Sequence, residues 1–201
     1  MTSLIQNKET KQRLLKTALN LIWQNSYESV GIIRICDEAG VTKGAFYHYF
    51  KSKSDLAYSA FEEHYQSLRT GLDRVFSPQN SPLERIELYC ELIISRQKEK
   101  YAQTGLVVGC PFSSSGQSTQ EIKLKNLSAD TLERITKYFT SLVADAQQQG
   151  LIDKDVDPVA IGRYMYSFVL GILAMGRVKN DLKCIERDLK PGLLRILGVE
   201  A

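Results

Sequence analysis

Thr42, Lys43, Gly44, Ala45, Tyr47 and His48 crowd into a stretch of seven residues, with Arg34 upstream and Lys53 just downstream. These side chains suit contact with a polyanion. Cations neutralise phosphate, hydroxyls and a phenol donate hydrogen bonds to phosphate oxygens, and small residues let a backbone come close. Lys and His can also donate to base edges exposed in a DNA groove. No catalytic spacing of Ser, His and Asp competes with this reading, and no phosphate-cradling glycine loop does.

The elements that must present these residues are short helices. Ile32, Ile35 and Ala39 recur at helical spacing and give one apolar face. Gly40 supplies the left-handed position that a sharp turn needs. The Thr42 hydroxyl is placed to cap a second helix, expected from Thr42 to His48. Two short helices about such a turn are a helix-turn-helix, here residues 31–50, whose second helix enters a major groove. The spacing predicts a helix before them, from about Glu9 to Gln24, with Leu14, Leu15, Ala18, Leu21 and Ile22 inward. Another is expected to start near Ser54, capped by Ser54 with Asp55 in its first turn, and to run to about Val75.

Beyond Val75 the pattern stays helical. Ser81 and Pro82 read as the cap and first residue of a helix reaching about Tyr101. Residues 104–120 are rich in Gly and Ser and read as a loop with at most a short helix. Leu106 to Val108 is the one β-like patch. Helices follow over about 120–149, 158–179 and 182–197, the last with Pro191 as an expected kink or break. The fold class is all-α: an N-terminal three-helix helix-turn-helix domain over 8–68, then a helical ligand-binding and dimerisation domain over 69–201.

Composition narrows the class. The 201 residues are 43% hydrophobic and 24% charged, as in an ordinary globular protein. The formal net charge is +3. Residues 1–56 hold eight Lys/Arg and five Asp/Glu, so this quarter carries a charge equal to the whole excess. Cys36, Cys90, Cys110 and Cys184 are scattered, without the pairing a zinc site needs. No secretory signal pattern is evident and no apolar run is expected to reach membrane-spanning length. A cytoplasmic protein with reduced thiols, no membrane partner and no cofactor is expected.

Residues 158–179 contain a helix apolar nearly all round between Phe168 and Met175, which is more than one small subunit can bury. Tyr164, Phe168, Gly171, Ile172 and Met175 are therefore expected at a two-fold homodimer interface, together with the last helix, as a four-helix bundle.

The run Ile35, Ala39-Gly40-Val41-Thr42-Lys43-Gly44-Ala45-Phe46-Tyr47-His48-Tyr49-Phe50, Lys53 and Leu56 resembles the TetR family of bacterial transcriptional regulators, over about residues 8–68. Farther on the resemblance is one of helical layout, with a Gly109-Cys110-Pro111-Phe112 patch similar to an element of some branches. Many members carry Gly where Ser26 stands and Ser or Thr where Gly31 stands. The Gly31 cap is weaker by a few tenths of a kcal/mol. The resemblance implies a regulator, most plainly a ligand-responsive repressor that binds a palindromic DNA operator as a dimer. It places Tyr47, Lys53 and Thr42 on phosphates, and Arg34 on a flanking phosphate or base. Lys43 and His48 become base readers, Gly44 gives close approach and Ala45 meets a thymine methyl. It also implies a pocket for a small-molecule effector between the helices at 82–101 and 120–149. Ile86, Tyr89, Cys90, Ile93, Cys110, Phe112 and Phe139 are the expected lining.

Three other readings stay open in the sequence. One is a small helical enzyme or binding protein with a fortuitous N-terminal motif. Another is a DNA-binding protein without an effector. The third is a thiol-based variant of the regulator, in which Cys110 senses electrophiles or oxidants.

Overall fold

The computed structural model describes residues 2–199. Among them all regular structure is helical: α1 (Thr2–Gln24), α2 (Ile32–Ala39), α3 (Lys43–Tyr49), α4 (Lys53–Val75), α5 (Pro82–Thr104), α6 (Pro111–Ser118), α7 (Ile122–Gln148), α8 (Pro158–Lys179) and α9 (Leu182–Leu197). The chain divides into two compact units. One comprises 1–67 with 111–131, the other 68–110 with 132–201. Residues 111–131 thus return to the N-terminal unit after an excursion of the chain.

In the N-terminal unit, α1 packs on α2 and α6, and α2 on α3. Leu14, Leu15, Ala18, Leu21 and Ile22 of α1 are buried, as are Ile35 and Ala39 of α2 and Phe46 of α3. Gly40 ends α2 in the left-handed region at φ 63°, and the next N–H donates to the Cys36 carbonyl at 3.0 Å. This double closure satisfies carbonyls that the helix end would otherwise orphan. The cap of α4 is Ser52, not Ser54. The Asp55 N–H donates to the Ser52 hydroxyl at 3.1 Å, and the Asp55 carboxylate accepts from the Lys51 N–H at 3.1 Å. The helix begins one residue earlier than expected, so Ser54 lies inside its first turn. Trp23, Phe61, His64, Tyr65 and Phe112 form an aromatic cluster, with Phe112 centroids 5.8–6.4 Å from its three neighbours on α4.

In the C-terminal unit, α9 packs on α8 and α5. Close approach at the α8–α9 contact requires glycine. A Cβ at Gly176 would lie 2.7 Å from Ile185 Cδ1, and one at Gly192 would lie 2.1 Å from the Phe168 ring. Pro191 neither kinks α9 to a stop nor splits it; the helix runs through to Leu197. Residues 106–108 form no strand. Their polar backbone is instead satisfied by side chains: the Val107 N–H donates to Asn180 Oδ1 at 2.8 Å and the Val108 carbonyl accepts from Arg177 at 3.2 Å. Gln97 pairs with both polar groups of Gly109, at 3.0 and 3.2 Å.

Among the described residues one helix, α8, is long and apolar enough to cross a membrane by length and composition, against the sequence expectation. Its apolarity has a different use on one side at least. Met165, Tyr166, Val169 and Leu173 are buried within the unit.

Arg85 of α5 is 1% exposed, donating to Asp145 Oδ2 at 2.6 Å and to the Asn80 carbonyl at 2.9 Å. Removing one partner of a buried pair strands the other. Arg85→Ala is expected to lower unfolding stability by about 2–4 kcal/mol in urea melts. Lys190→Ala, which breaks an exposed pair with Glu87, should leave the urea midpoint nearly unchanged.

Candidate nucleic-acid interface and interior polar cluster

The helix α3 has seven residues, too few to be stable alone in water. It is held from below and from its start. Phe46 is fully buried, with the Phe50 ring 6.2 Å away and the Tyr47 ring edge-on at 5.1 Å. The Thr42 hydroxyl accepts from the Ala45 N–H at 3.1 Å, the cap expected from sequence. The free face then carries Lys43, Gly44, Tyr47 and His48, all exposed, with Ala45 half-buried at its edge. Tyr47 is 59% exposed, unusual for so large an apolar side chain. A Cβ at Gly44 would meet nothing nearer than the Thr42 hydroxyl at 3.8 Å, so the helix surface there is open.

Two expected contacts are placed differently. Arg34 of α2 is exposed, but its Nε pairs with Glu38 Oε1 at 3.0 Å along the helix. Lys53 is half-buried. Its ammonium donates to the Tyr27 carbonyl at 2.8 Å and sits 4.0 Å from the Tyr27 ring centroid. A cation over a ring and on a carbonyl ties the start of α4 to the α1–α2 loop. Lys53 thus ties two segments of the unit together through one of its three N–H donors. Sequence spacing across 26 residues carries no signal for such a clasp.

The same loop is tied to the start of α7. Glu28 Oε1 accepts from the Gln120 N–H at 2.8 Å. Burial pushes the Glu28 carboxyl up, but hydrogen bonds from the Gln120 N–H, its own N–H and the Thr119 hydroxyl outweigh it and hold the carboxyl below its usual value.

The expected pocket residues divide between the units. Ile86, Tyr89, Cys90 and Phe139 are buried in the C-terminal unit, and Ile93 and Cys110 are half-buried there. Phe112 belongs to the N-terminal aromatic cluster, because α6 is part of that unit. In the C-terminal unit the rings pack against one another: Tyr89 on Phe139 at 4.9 Å, Phe76 on Phe139 at 5.3 Å, and Tyr166 stacked on Phe139 at 5.6 Å. Such spacings leave no ligand-sized gap between those rings. An open groove of about 640 Å³ lies elsewhere in this unit, bordered by Asp73, Arg74, Asn80, Leu88, Glu91 and Leu92.

The polar tips of the ring cluster converge. Burial pushes the Tyr89 phenol well above its ordinary value, and the Cys110 and Cys90 thiols add to this while Arg96 opposes it. Burial does the same at Tyr166, whose hydroxyl also hydrogen-bonds with Cys110. Burial holds the Cys90 thiol up at about 12. Tyr166 and Arg96 were not singled out from the sequence; each reads there as one more residue in an amphipathic helix. None of the four cysteines is in a disulfide.

The expected interface residues on α8 are partly free. Tyr164 is 54% and Met175 49% exposed, and a Cβ at Gly171 would meet nothing within 4 Å. Ile172 is half-buried, and Phe168 is half-buried against Gly192.

The chain is similar to known regulatory proteins. A family profile described as "Bacterial regulatory proteins, tetR family" matches residues 14–60. The transcriptional regulator AcuR of Cereibacter sphaeroides is 29% identical over 153 residues, 75% of this chain and 68% of its own. The HTH-type transcriptional regulator UidR of Escherichia coli K12 is 26% identical over 192 residues, 94% of this chain and 91% of its own. Among solved structures, the TetR-family regulator SCO4454 of Streptomyces coelicolor superposes with a TM-score of 0.78 at 21% identity, covering 95% of each chain.

Two outcomes follow from the site. With a duplex selected by the wild type, Lys43→Ala should weaken binding by about 1–3 kcal/mol and relax base preference at one position of each half-site. Lys53→Met, which removes the bond to the Tyr27 carbonyl, should lower the melting temperature. The second outcome concerns pH. Cys90, Tyr89 and Tyr166 hold their protons more tightly folded than unfolded, so their contribution is complete below the unfolded Cys value of about 8.5. It is lost as pH rises toward the Cys90 value of about 12. Urea midpoints should therefore fall above pH 9, and Cys90 should resist alkylation in the native protein at pH 8.

Proposed function

The chain belongs to the TetR family of bacterial regulatory proteins and is a transcriptional regulator, and we propose that it works as a homodimeric, ligand-responsive repressor of a palindromic operator. The observation that carries the reading is the free face of α3, where Lys43, Gly44, Tyr47 and His48 stand exposed above a buried Phe46. Lys43 and His48 supply donors for base edges, and Gly44 permits close approach. Tyr47 and the exposed Thr42 supply hydroxyls for phosphate, and Ala45 an apolar contact at the groove edge. Arg34 pairs with Glu38 through Nε alone, which leaves its terminal N–H groups for a flanking phosphate.

Dimerisation supplies the second half-site. Tyr164, Gly171, Ile172 and Met175 lie along one side of α8, and Val178, 83% exposed, continues the stripe. A contiguous apolar stripe rimmed by Arg163 and Lys179 suits a second copy of the same helix. A two-fold axis there would set two α3 helices about 34–36 Å apart, one turn of DNA.

The effector is a small molecule with an aromatic or apolar body and a polar tip. The support is the convergence of Tyr89, Tyr166 and Cys110 hydroxyl and thiol groups within an aromatic surround of Phe76 and Phe139. Because these rings are packed together, the effector must favour a looser arrangement of them. It acts on DNA affinity only through its difference in affinity for the two states. The protein acts where the bacterial chromosome is, in the cytoplasm, by binding rather than by catalysis.

Selection from a random duplex library should recover an inverted repeat, and sedimentation at micromolar concentration should give a dimer. Met175→Asp should shift the protein to monomer and weaken its binding to the full repeat. A wild type that sediments as a monomer, or that enriches no sequence over non-specific DNA, overturns the reading.

A further inference from the structure

Arg13 stands on the exposed side of α1, next to Leu14 and Leu15, whose burial fixes the roll of the helix. Its guanidinium reaches the turn between α2 and α3. A Cβ built on Gly40 would lie 3.7 Å from Arg13 Nη1 and, outside its own chain neighbours, would meet no other atom within 4 Å. That side of the turn is therefore faced by this one group. Gly40 is itself exposed, as are Thr42, Lys43 and Gly44, so the surface beneath the guanidinium runs on into the free face of α3. Three residues separate Gly40 from Lys43, a span of about 11 Å at most.

The donors of this guanidinium are free. Among the described residues Arg13 makes no hydrogen bond, ion pair or ring contact. Other cations of the same unit differ. Arg34 Nε pairs with Glu38 at 3.0 Å, Lys53 donates to the Tyr27 carbonyl at 2.8 Å, and Lys11 lies 5.9 Å from the Phe50 ring centroid. The C-terminal end of α2 attracts a cation, which accounts for where the guanidinium lies. That attraction uses none of its five N–H donors. A planar fork of donors matches the oxygens of a phosphate two at a time.

We propose that Arg13 is a phosphate-binding residue of the DNA interface, through which α1 grips the backbone beside the turn in each half-site. This rests on the regulator reading above. A phosphate contact positions the protein and carries no sequence information. Arg13 therefore adds affinity for any duplex and leaves base preference to α3.

The test uses the full-length protein, a duplex that the wild type selects from a random library, and a scrambled duplex of the same length. Affinities are read by fluorescence anisotropy over a series of salt concentrations. Arg13→Gln should reduce the slope of log affinity against log salt by about one per half-site. It should weaken binding to both duplexes by the same factor, so the preference between them stays. Arg13→Lys keeps the charge but not the fork, and should keep the slope while binding more weakly than the wild type. Lys137→Gln, which removes an exposed cation of α7 in the other unit, should leave the slope unchanged. Arg13→Gln should melt with the wild type, because the side chain is exposed and unpaired. An unchanged slope in Arg13→Gln, with or without a lowered melting temperature, overturns the assignment and leaves the regulator reading standing. So does a loss confined to the selected duplex, which would make Arg13 a base reader, or an equal loss of slope in Lys137→Gln. Failure of the wild type to enrich any sequence overturns the regulator reading itself.

Discussion

A helix of seven residues forms too few hydrogen bonds to offset the ordering of its chain, so α3 exists only because something else fixes it. Phe46 does most of this. Buried completely, it anchors the helix by the one face that does not carry Lys43, Tyr47 or His48. The Gly40 turn sets the angle at which α3 leaves α2, and the Thr42 hydroxyl closes its first turn. A left-handed residue and a hydroxyl cap, together with one buried ring, hold a reading surface that would otherwise be disordered chain. Everything proposed about DNA depends on that rigidity, because a base contact has value only if its donor is already in place.

The C-terminal unit solves a different problem. Its helices are long, so local stability is not limiting and fit decides. Gly176 and Gly192 let α8 and α9 approach closely enough for Ile185 and Phe168 to seat, and a Cβ at Gly162 would lie 2.6 Å from the Thr140 backbone nitrogen. A methyl group at any of these points would force the helices apart. The same unit buries Arg85 against Asp145 and sets the Tyr89 and Tyr166 hydroxyls among packed rings, beside the half-buried Cys110. Polar groups packed among rings are an arrangement that a bound molecule can reorder, which is what a responsive regulator needs.

Lys53 illustrates what a residue type leaves open when its surroundings are unknown. A lysine just after a groove-reading helix suits a phosphate contact, and so does the resemblance. In the structure its ammonium is committed to the Tyr27 carbonyl and ring. Phe112 gives the same lesson at domain scale. Its neighbours in sequence suggest a pocket, but α6 belongs to the N-terminal unit and Phe112 packs against Phe61, His64 and Tyr65. Both cases involve partners tens of residues away, and local spacing holds no record of those.

What the sequence determined by itself was local. Apolar spacing marked the helices, Gly40 and Thr42 marked the turn and cap, and Ser81-Pro82 marked a further start, each through interactions between residues a few positions apart. The order of small, cationic and aromatic residues in 42–48 was enough to point to a groove-reading helix, because that chemistry is also local. Only the tertiary structure decided that Lys53 bonds the Tyr27 carbonyl, that residues 111–131 rejoin the N-terminal unit, that Pro191 is carried within a continuous α9, and that Phe76, Tyr89 and Tyr166 pack around Phe139. Those outcomes depend on which surfaces meet across long stretches of chain. Such meetings are set by the competition of every buried face for partners, which no single window of sequence contains.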